Sequence, residues 1–360
     1  MLVGIYMPSG CHQRKGPVAV DRLESIFLRN AIQGILATGH KMDTEFIWFT
    51  EGEEDIGDDR IPVVSVRAQS SFLSLGRGSV PTIEEALKRY DVDVVLTRLD
   101  VPAPSRHIPR VLFTLDMHFC GDTLRNLDIP PPPLPKKVKQ LCTSANAIIC
   151  PSEYVHKACA SRLEMGLEKA AVARAGVSDL FELPQDNIID GPFALFILNR
   201  YTEPSIPTLL DAIKRNPDLF PPNLVVLGEQ HPDEPEDWGI PIVRIERCPD
   251  TMTAALMQHA VMCLYLSKSE GSGIVILQAM KAGALLVTTK SGATVEIAGK
   301  VPFYCDADNP YSLLQSIRRM LEESPNEREK RQLMARTLIM NNTWEKCGAK
   351  LLSVIRRSLA

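Results

Sequence analysis

The stretch Leu266-Ser267-Lys268-Ser269-Glu270-Gly271-Ser272-Gly273 joins a short apolar strand to a helix that starts near Ile274. Such a junction presents one carboxylate, Glu270, at a strand end, then two glycines, Gly271 and Gly273, past which a ligand can approach the backbone. Uncapped amides and the dipole at that helix start favour an anion. Gln278 follows Glu270 by eight positions, a little over two helical turns, so it can share a face with the first turn. Spacing alone leaves a second reading equally open, a capped core helix with a surface glutamate. Gln13-Arg14-Lys15-Gly16 is a further phosphate-contacting candidate, but it lacks the Walker spacing and reads equally as a solvated loop.

Strands and helices alternate along the chain and must position these groups. Short β-branched runs at Leu2-Val3-Gly4-Ile5-Tyr6, Glu45-Phe46-Ile47-Trp48-Phe49, residues 61–66, 93–97, 110–114, 147–150 and 171–174 are interleaved with amphipathic segments. The longest of these runs from Val18 to Ala37, and another from Thr82 to Tyr90. The pattern restarts near residue 190, with strands at 193–198, 224–228, 242–245, 263–266 and 285–289. Such alternation predicts two doubly wound α/β domains facing across a cleft, with ligands held at the carboxyl ends of the strands. The expected division is 1–185, 186–344, and a closing helix over 345–360. The run Ile129-Pro130-Pro131-Pro132-Pro133-Leu134-Pro135 reads as a stiff extended loop.

Composition narrows the function. The 360 residues carry 40 Lys+Arg against 44 Asp+Glu, a net charge of −4, which argues against a general nucleic-acid binder. Nine cysteines occur without CxxC or zinc-ligand spacing, so no metal site and no disulfide framework is expected. Free core cysteines imply a reducing compartment. The amino terminus shows no signal-peptide layout and no apolar stretch reaches the ~18 residues of a membrane span, so a soluble, cytoplasmic protein is expected. Lys136-Lys137-Val138-Lys139 is a weak candidate for peripheral membrane contact, against the plainer reading of a solvated helix start. No Ser-His-Asp set, metal-hydrolase motif or dinucleotide fingerprint stands out.

The segment from 266 to 283 resembles the signature of the retaining glycosyltransferases called group one or family four, which have the GT-B fold. Ser267, Glu270, Gly271, Gly273, Gln278, Ala279, Met280, Gly283, Ser291-Gly292 and Glu296 follow its spacing. Weaker likenesses run through Thr38-Gly39-His40, Cys150-Pro151-Ser152-Glu153, residues 175–181, residues 304–310 and Trp344-Glu345. The resemblance implies a metal-independent, hexosyltransferase-type enzyme that moves a sugar from a nucleotide diphosphate sugar to an unidentified acceptor (glycan, lipid, protein or small molecule) with retention. No cofactor beyond the donor is implied. Glu270 would hold donor-sugar hydroxyls and Gln278 the ribose, while Gly271, Ser272 and Gly273 would line the sugar and phosphate. Arg200 would grip the diphosphate, Lys268 could assist it, and the backbone at Arg247 and Cys248 would read the base. In the first domain Gly16 would cover the phosphates, and Asp116 or His118 would stand near the anomeric centre, the two being left open.

Two departures qualify this. Gln278 replaces a second carboxylate, although an amide still hydrogen-bonds ribose. In Arg200-Tyr201-Thr202-Glu203-Pro204-Ser205-Ile206 the lysine that would neutralise the diphosphate is missing. Loss of such charge stabilisation can cost several kcal/mol. A second reading follows, a glycosyltransferase-fold scaffold that binds a nucleotide sugar or a protein without turnover. A phosphorylase or nucleotide-sugar epimerase on the same fold is a third.

Overall fold

The computed structural model describes the chain except residues 9–18, 39–43, 52–57, 68–79, 100, 102–103, 106, 117–135, 165, 232–233 and 360, and only the backbone at 19–22, 137 and 167. The first domain runs β1 (Leu2–Met7), α1 (Ala19–Ala37), β2 (Glu45–Thr50), β3 (Val63–Ser65), α2 (Ile83–Arg89), β4 (Val94–Arg98), β5 (Arg110–Phe113), α3 (Lys136–Thr143), β6 (Ala147–Cys150), α4 (Glu153–Leu163) and β7 (Ala170–Val172). Its strands form one sheet in the order β3-β2-β1-β4-β5-β6-β7. All pairs are parallel. The proline-rich run expected as a stiff loop lies outside the described residues.

The second domain runs β8 (Phe193–Ile197), α5 (Ile206–Arg215), β9 (Asn223–Leu227), β10 (Ile242–Ile245), α6 (Asp250–His259), β11 (Met262–Tyr265), α7 (Ile274–Lys281), β12 (Leu286–Thr289), α8 (Thr294–Ala298), β13 (Phe303–Cys305) and α9 (Pro310–Leu321). Its parallel sheet has the order β10-β9-β8-β11-β12-β13. The chain winds outward in both directions from the β8/β11 pair, so the switch point lies there. Helices α10 (Pro325–Ile339) and α11 (Trp344–Arg357) then return to the first domain. This is the two-domain GT-B arrangement that the resemblance implies.

Local chemistry explains most boundaries. Thr82 and Glu85 form a capping box on α2, Ser324 and Glu327 another on α10, and Asn309 with Pro310 starts α9. The strand expected over 61–66 narrows to Val63–Ser65. Pro62 can still accept from the Trp48 amide (2.8 Å) but has no N–H to donate. The sequence reading has no counterpart for α10, because that charge-rich helix buries only Ala335 and Ile339 and so carries almost no apolar stripe.

Helix α11 lies across α1. The two approach so closely that a Cβ on Gly348 would stand 2.3 Å from the Ala31 carbonyl oxygen, and one on Gly34 2.2 Å from that of Trp344. The Trp344 and Phe27 rings meet edge-on with centroids 5.8 Å apart. One buried apolar cluster joins the domains without a break, from Val3 and Ile149 through Ala175 and Phe181 to Phe193 and Ile276. The described cysteines are free, and all but Cys248 are buried. Burial pushes the thiols of Cys142, Cys263, Cys305 and Cys347 up to about 12, so they remain protonated packing groups. No helix among the described residues is long and apolar enough to cross a membrane.

Candidate functional site between the domains

Strand β11 ends at Tyr265, and a short strap carries the chain to Glu270, which is 3% exposed. Its Oε1 accepts from the amides of Gly273 (2.6 Å) and Ser272 (3.1 Å), and its Oε2 from the Tyr265 hydroxyl (2.7 Å). Glu270 therefore braces the turn ahead of α7 and takes the Ser272 and Gly273 amides, while Gly273 is the N-cap and no side-chain cap bond forms on the helix itself. Burial raises the Glu270 pKa, and the Asp116 charge adds to that. The amide and phenol donors oppose the shift without cancelling it. Gly273 adopts φ +67°, and a Cβ there would stand 2.3 Å from Ile297 Cδ1, so only glycine fits this turn.

Arg200 follows β8 in a turn that Asn199 builds by accepting the Tyr201 amide with its side chain at 2.9 Å. Its Nη2 donates to Asp116 Oδ2 at 2.7 Å and to the Tyr201 hydroxyl at 2.6 Å. The guanidinium also stacks 4.6 Å above the Tyr201 ring centroid. The Tyr201 hydroxyl in turn donates to Asp116 Oδ2. Burial pulls the Arg200 pKa down, but the Tyr201 and Asp116 oxygens outweigh it and hold the guanidinium charged. Burial likewise keeps the Tyr201 and Tyr265 phenols protonated. The Asn199 side-chain amide reaches the Tyr265 hydroxyl at 3.5 Å, at the limit of a hydrogen bond, and so bridges the two halves of the cluster.

Asp116 belongs to the first domain, just beyond β5, so the cluster spans the seam. The Ser152 hydroxyl donates across it to the Gly271 carbonyl at 2.8 Å. A Cβ on Gly271 would stand 2.0 Å from the Leu115 carbonyl oxygen, so this glycine sets how near the domains come. Glu296, on α8, accepts the amides of Glu153 (3.0 Å) and Tyr154 (3.1 Å) at the start of α4 and pairs with Arg174 at 3.0 Å. On the first-domain side, buried Arg98 pairs with Glu24 at 3.1 Å, and the Glu24 charge is felt at Arg200.

The structure thus brings Arg200, Asp116, Glu270, Gly271, Ser272 and Gly273 together. Gln278 is half-buried on α7, with no hydrogen-bond partner for its side chain among the described residues. Lys268 turns to Asp308 on the far side of the strap, and its side chain is 12% exposed rather than the free surface lysine of the plainer sequence reading. Arg247 is exposed beyond β10 and pairs with Glu229, donating from Nε at 2.8 Å, while the Cys248 thiol meets the Thr253 hydroxyl at 3.3 Å. Gly16 and His118 lie outside the described residues. Sequence reasoning missed Tyr201, Tyr265, Asn199 and Glu24. A tyrosine ending an apolar strand five residues before Glu270 was the available signal for Tyr265. Among the described residues no three His, Cys, Asp or Glu side chains converge as a metal would require.

A family profile described as "Glycosyl transferases group 1" matches residues 194–323, the second domain. No curated protein matches the chain in sequence. Three solved structures are similar over nearly the whole chain. A glycosyltransferase from Rickettsia africae ESF-5 has TM-score 0.71 and 15% identity, covering 99% of this chain and 98% of its own. A sucrose-phosphate synthase from Thermosynechococcus elongatus has TM-score 0.71 and 13% identity over the same shares, 99% and 98%. HepE from Anabaena, in complex with UDP and glucose, has TM-score 0.69 and 15% identity, covering 98% of this chain and 99% of its own. At these identities the likeness establishes the fold.

Proposed function

We propose that this chain is a retaining, metal-independent glycosyltransferase that takes its sugar from a nucleotide diphosphate donor. The observation that carries the reading is the placement of Arg200 and Glu270 beyond the carboxyl ends of β8 and β11, in one side-chain cluster linked through Asn199 and Tyr265. That is the switch point of a doubly wound sheet, where ligands of such folds settle. The matched group-one profile over residues 194–323 and the UDP-containing structure of similar fold support it.

In this reading the diphosphate takes the Arg200 fork, displacing Asp116, because guanidinium and phosphate match in charge and geometry. Glu270 orients the sugar through its remaining acceptor capacity, and Gln278 meets the ribose. The acceptor oxygen attacks the anomeric carbon on the face that the diphosphate leaves. As that bond forms, the bond from the anomeric carbon to phosphate oxygen breaks, and the acceptor proton passes to the departing phosphate. The protein supplies orientation, charge stabilisation and exclusion of water.

The test is calorimetry with uridine, guanosine and adenosine diphosphate sugars, followed by release of the nucleoside diphosphate. Arg200→Ala and Glu270→Ala should each abolish most of the turnover; full activity in both removes the site assignment. A scaffold without turnover is the second reading. It is favoured by Ser205, which stands in the lysine position and is buried with its hydroxyl on the Leu266 carbonyl at 2.7 Å. Binding without product release would establish that reading instead.

A further inference from the structure

Beyond Glu270, the outer half of the second sheet's carboxyl edge carries a hollow of about 440 Å³, floored by the ends of β11, β12 and β13 and rimmed by the start of α9. The strand order places it on the opposite side of β11 from Arg200. Its volume falls in the ~300–1,000 Å³ range of small-ligand sites.

The lining selects a chemistry. Lys268 and Lys290 face Asp306 and Asp308, so the formal charges cancel and a net anion gains no overall attraction. Each group is nonetheless a strong donor or acceptor with capacity to spare. The Lys290 ammonium stands 5.6 Å from the Tyr304 ring centroid and has no carboxylate partner among the described residues. Asp306 spends Oδ1 on the Asp308 amide at 2.9 Å, and Asp308, held by Lys268, is 68% exposed. A neutral molecule bearing several hydroxyls fits such a set, since each hydroxyl both donates to a carboxylate and accepts from an ammonium. The Tyr304 ring adds an apolar wall for the carbon face of a sugar.

We propose that this hollow binds a saccharide ring, as a second sugar subsite separate from the donor seam. The wall is continuous with the Glu270 strap. The Ser291 hydroxyl donates to the Ser267 carbonyl at 2.7 Å, and the Ala293 amide to the Glu270 carbonyl at 2.8 Å. The assignment does not depend on nucleotide binding and stands or falls separately from it.

Saturation-transfer NMR on the full chain tests it, with the methyl α-pyranosides of glucose, mannose and galactose and with maltotriose as probes. At least one sugar should receive transfer, and the signal should persist in Arg200→Ala and with excess UDP present. Affinity should fall about tenfold in Lys290→Ala and in Asp308→Ala, both exposed side chains whose loss leaves the fold intact by thermal melting. A stronger signal for maltotriose than for the monosaccharides assigns the subsite to a glycan end, and equal signals assign it to a free sugar. No transfer to any probe overturns the proposal. So does transfer removed by UDP or by Arg200→Ala, or transfer indifferent to both pocket variants.

Discussion

Arg200 Nη2 lies 2.7 Å from Asp116 Oδ2, so a guanidinium of the second domain is neutralised by a carboxylate of the first. The side chains are 19% and 7% exposed, so water screens the pair little. In the proposed donor complex a diphosphate at Arg200 would therefore compete with a group the protein supplies itself. Asp116→Asn should tighten nucleoside diphosphate binding by about tenfold, because the phosphate no longer displaces a charge-assisted hydrogen bond worth ~1.5–3 kcal/mol. Calorimetry on wild type and variant measures this, and an unchanged or weaker dissociation constant would contradict it.

The same substitution has an opposite effect on the empty protein. Breaking a buried pair leaves the Arg200 charge uncompensated, so Asp116→Asn should lower the melting temperature without nucleotide. Added nucleoside diphosphate should restore more stability to the variant than to wild type. Equal melting shifts in the two proteins would speak against the competition.

Glu270 gives a pH signature. Its folded-state pKa is raised, first by burial. The protonated form is therefore the better one in the native state. Its stabilising contribution is complete below the ordinary glutamate pKa and is lost as pH rises through the elevated folded value. Glu270→Gln removes that titration. The stability of wild type minus variant should fall as pH increases across this window, then level off. Urea titrations at several pH values read the difference directly, and a flat difference would refute the shift.

Glu296 clasps the domains through two amides of α4 and through Arg174. Glu296→Ala should cost about 1–3 kcal/mol in urea unfolding and widen the solution scattering envelope, since the bonds from two helix-start amides and from Arg174 are lost at the seam. A stable variant with unchanged scattering would show that the clasp does not hold the domains.

Close helix crossing gives a fourth case. Gly348→Ala would press a methyl group on the Ala31 carbonyl, at 2.3 Å before any relaxation. Overpacking of this kind costs ~1–3 kcal/mol. The shift should appear in the urea midpoint with the slope unchanged, and an unaltered midpoint would mean that α11 simply slides outward.

Much of this was legible in the sequence, and for identifiable reasons. The two runs of alternating strands and helices could be read because each element buries apolar residues at its own period, a property of neighbours in the chain. The Glu270 turn was legible because carboxylate, glycines and helix start lie within five residues. Helix α10 was not, since it faces solvent along most of its length and carries no periodic signal. Tyr265 read as one more core residue of an apolar strand, and Lys268 as an exposed one, because local pattern does not reveal which loop folds over a side chain.

The amino-acid order by itself determined two doubly wound sheets and a carboxylate at the mouth of a helix. Only the tertiary structure decided what those groups hold. Arg200 and its partner Asp116 are 84 positions apart, and Ser152 and Gly271 are 119 apart. Neither pairing follows from the propensity of any segment. Each depends on the distance and angle at which two separately wound sheets come to rest, set by the shared apolar core and by glycines small enough to let the backbones meet.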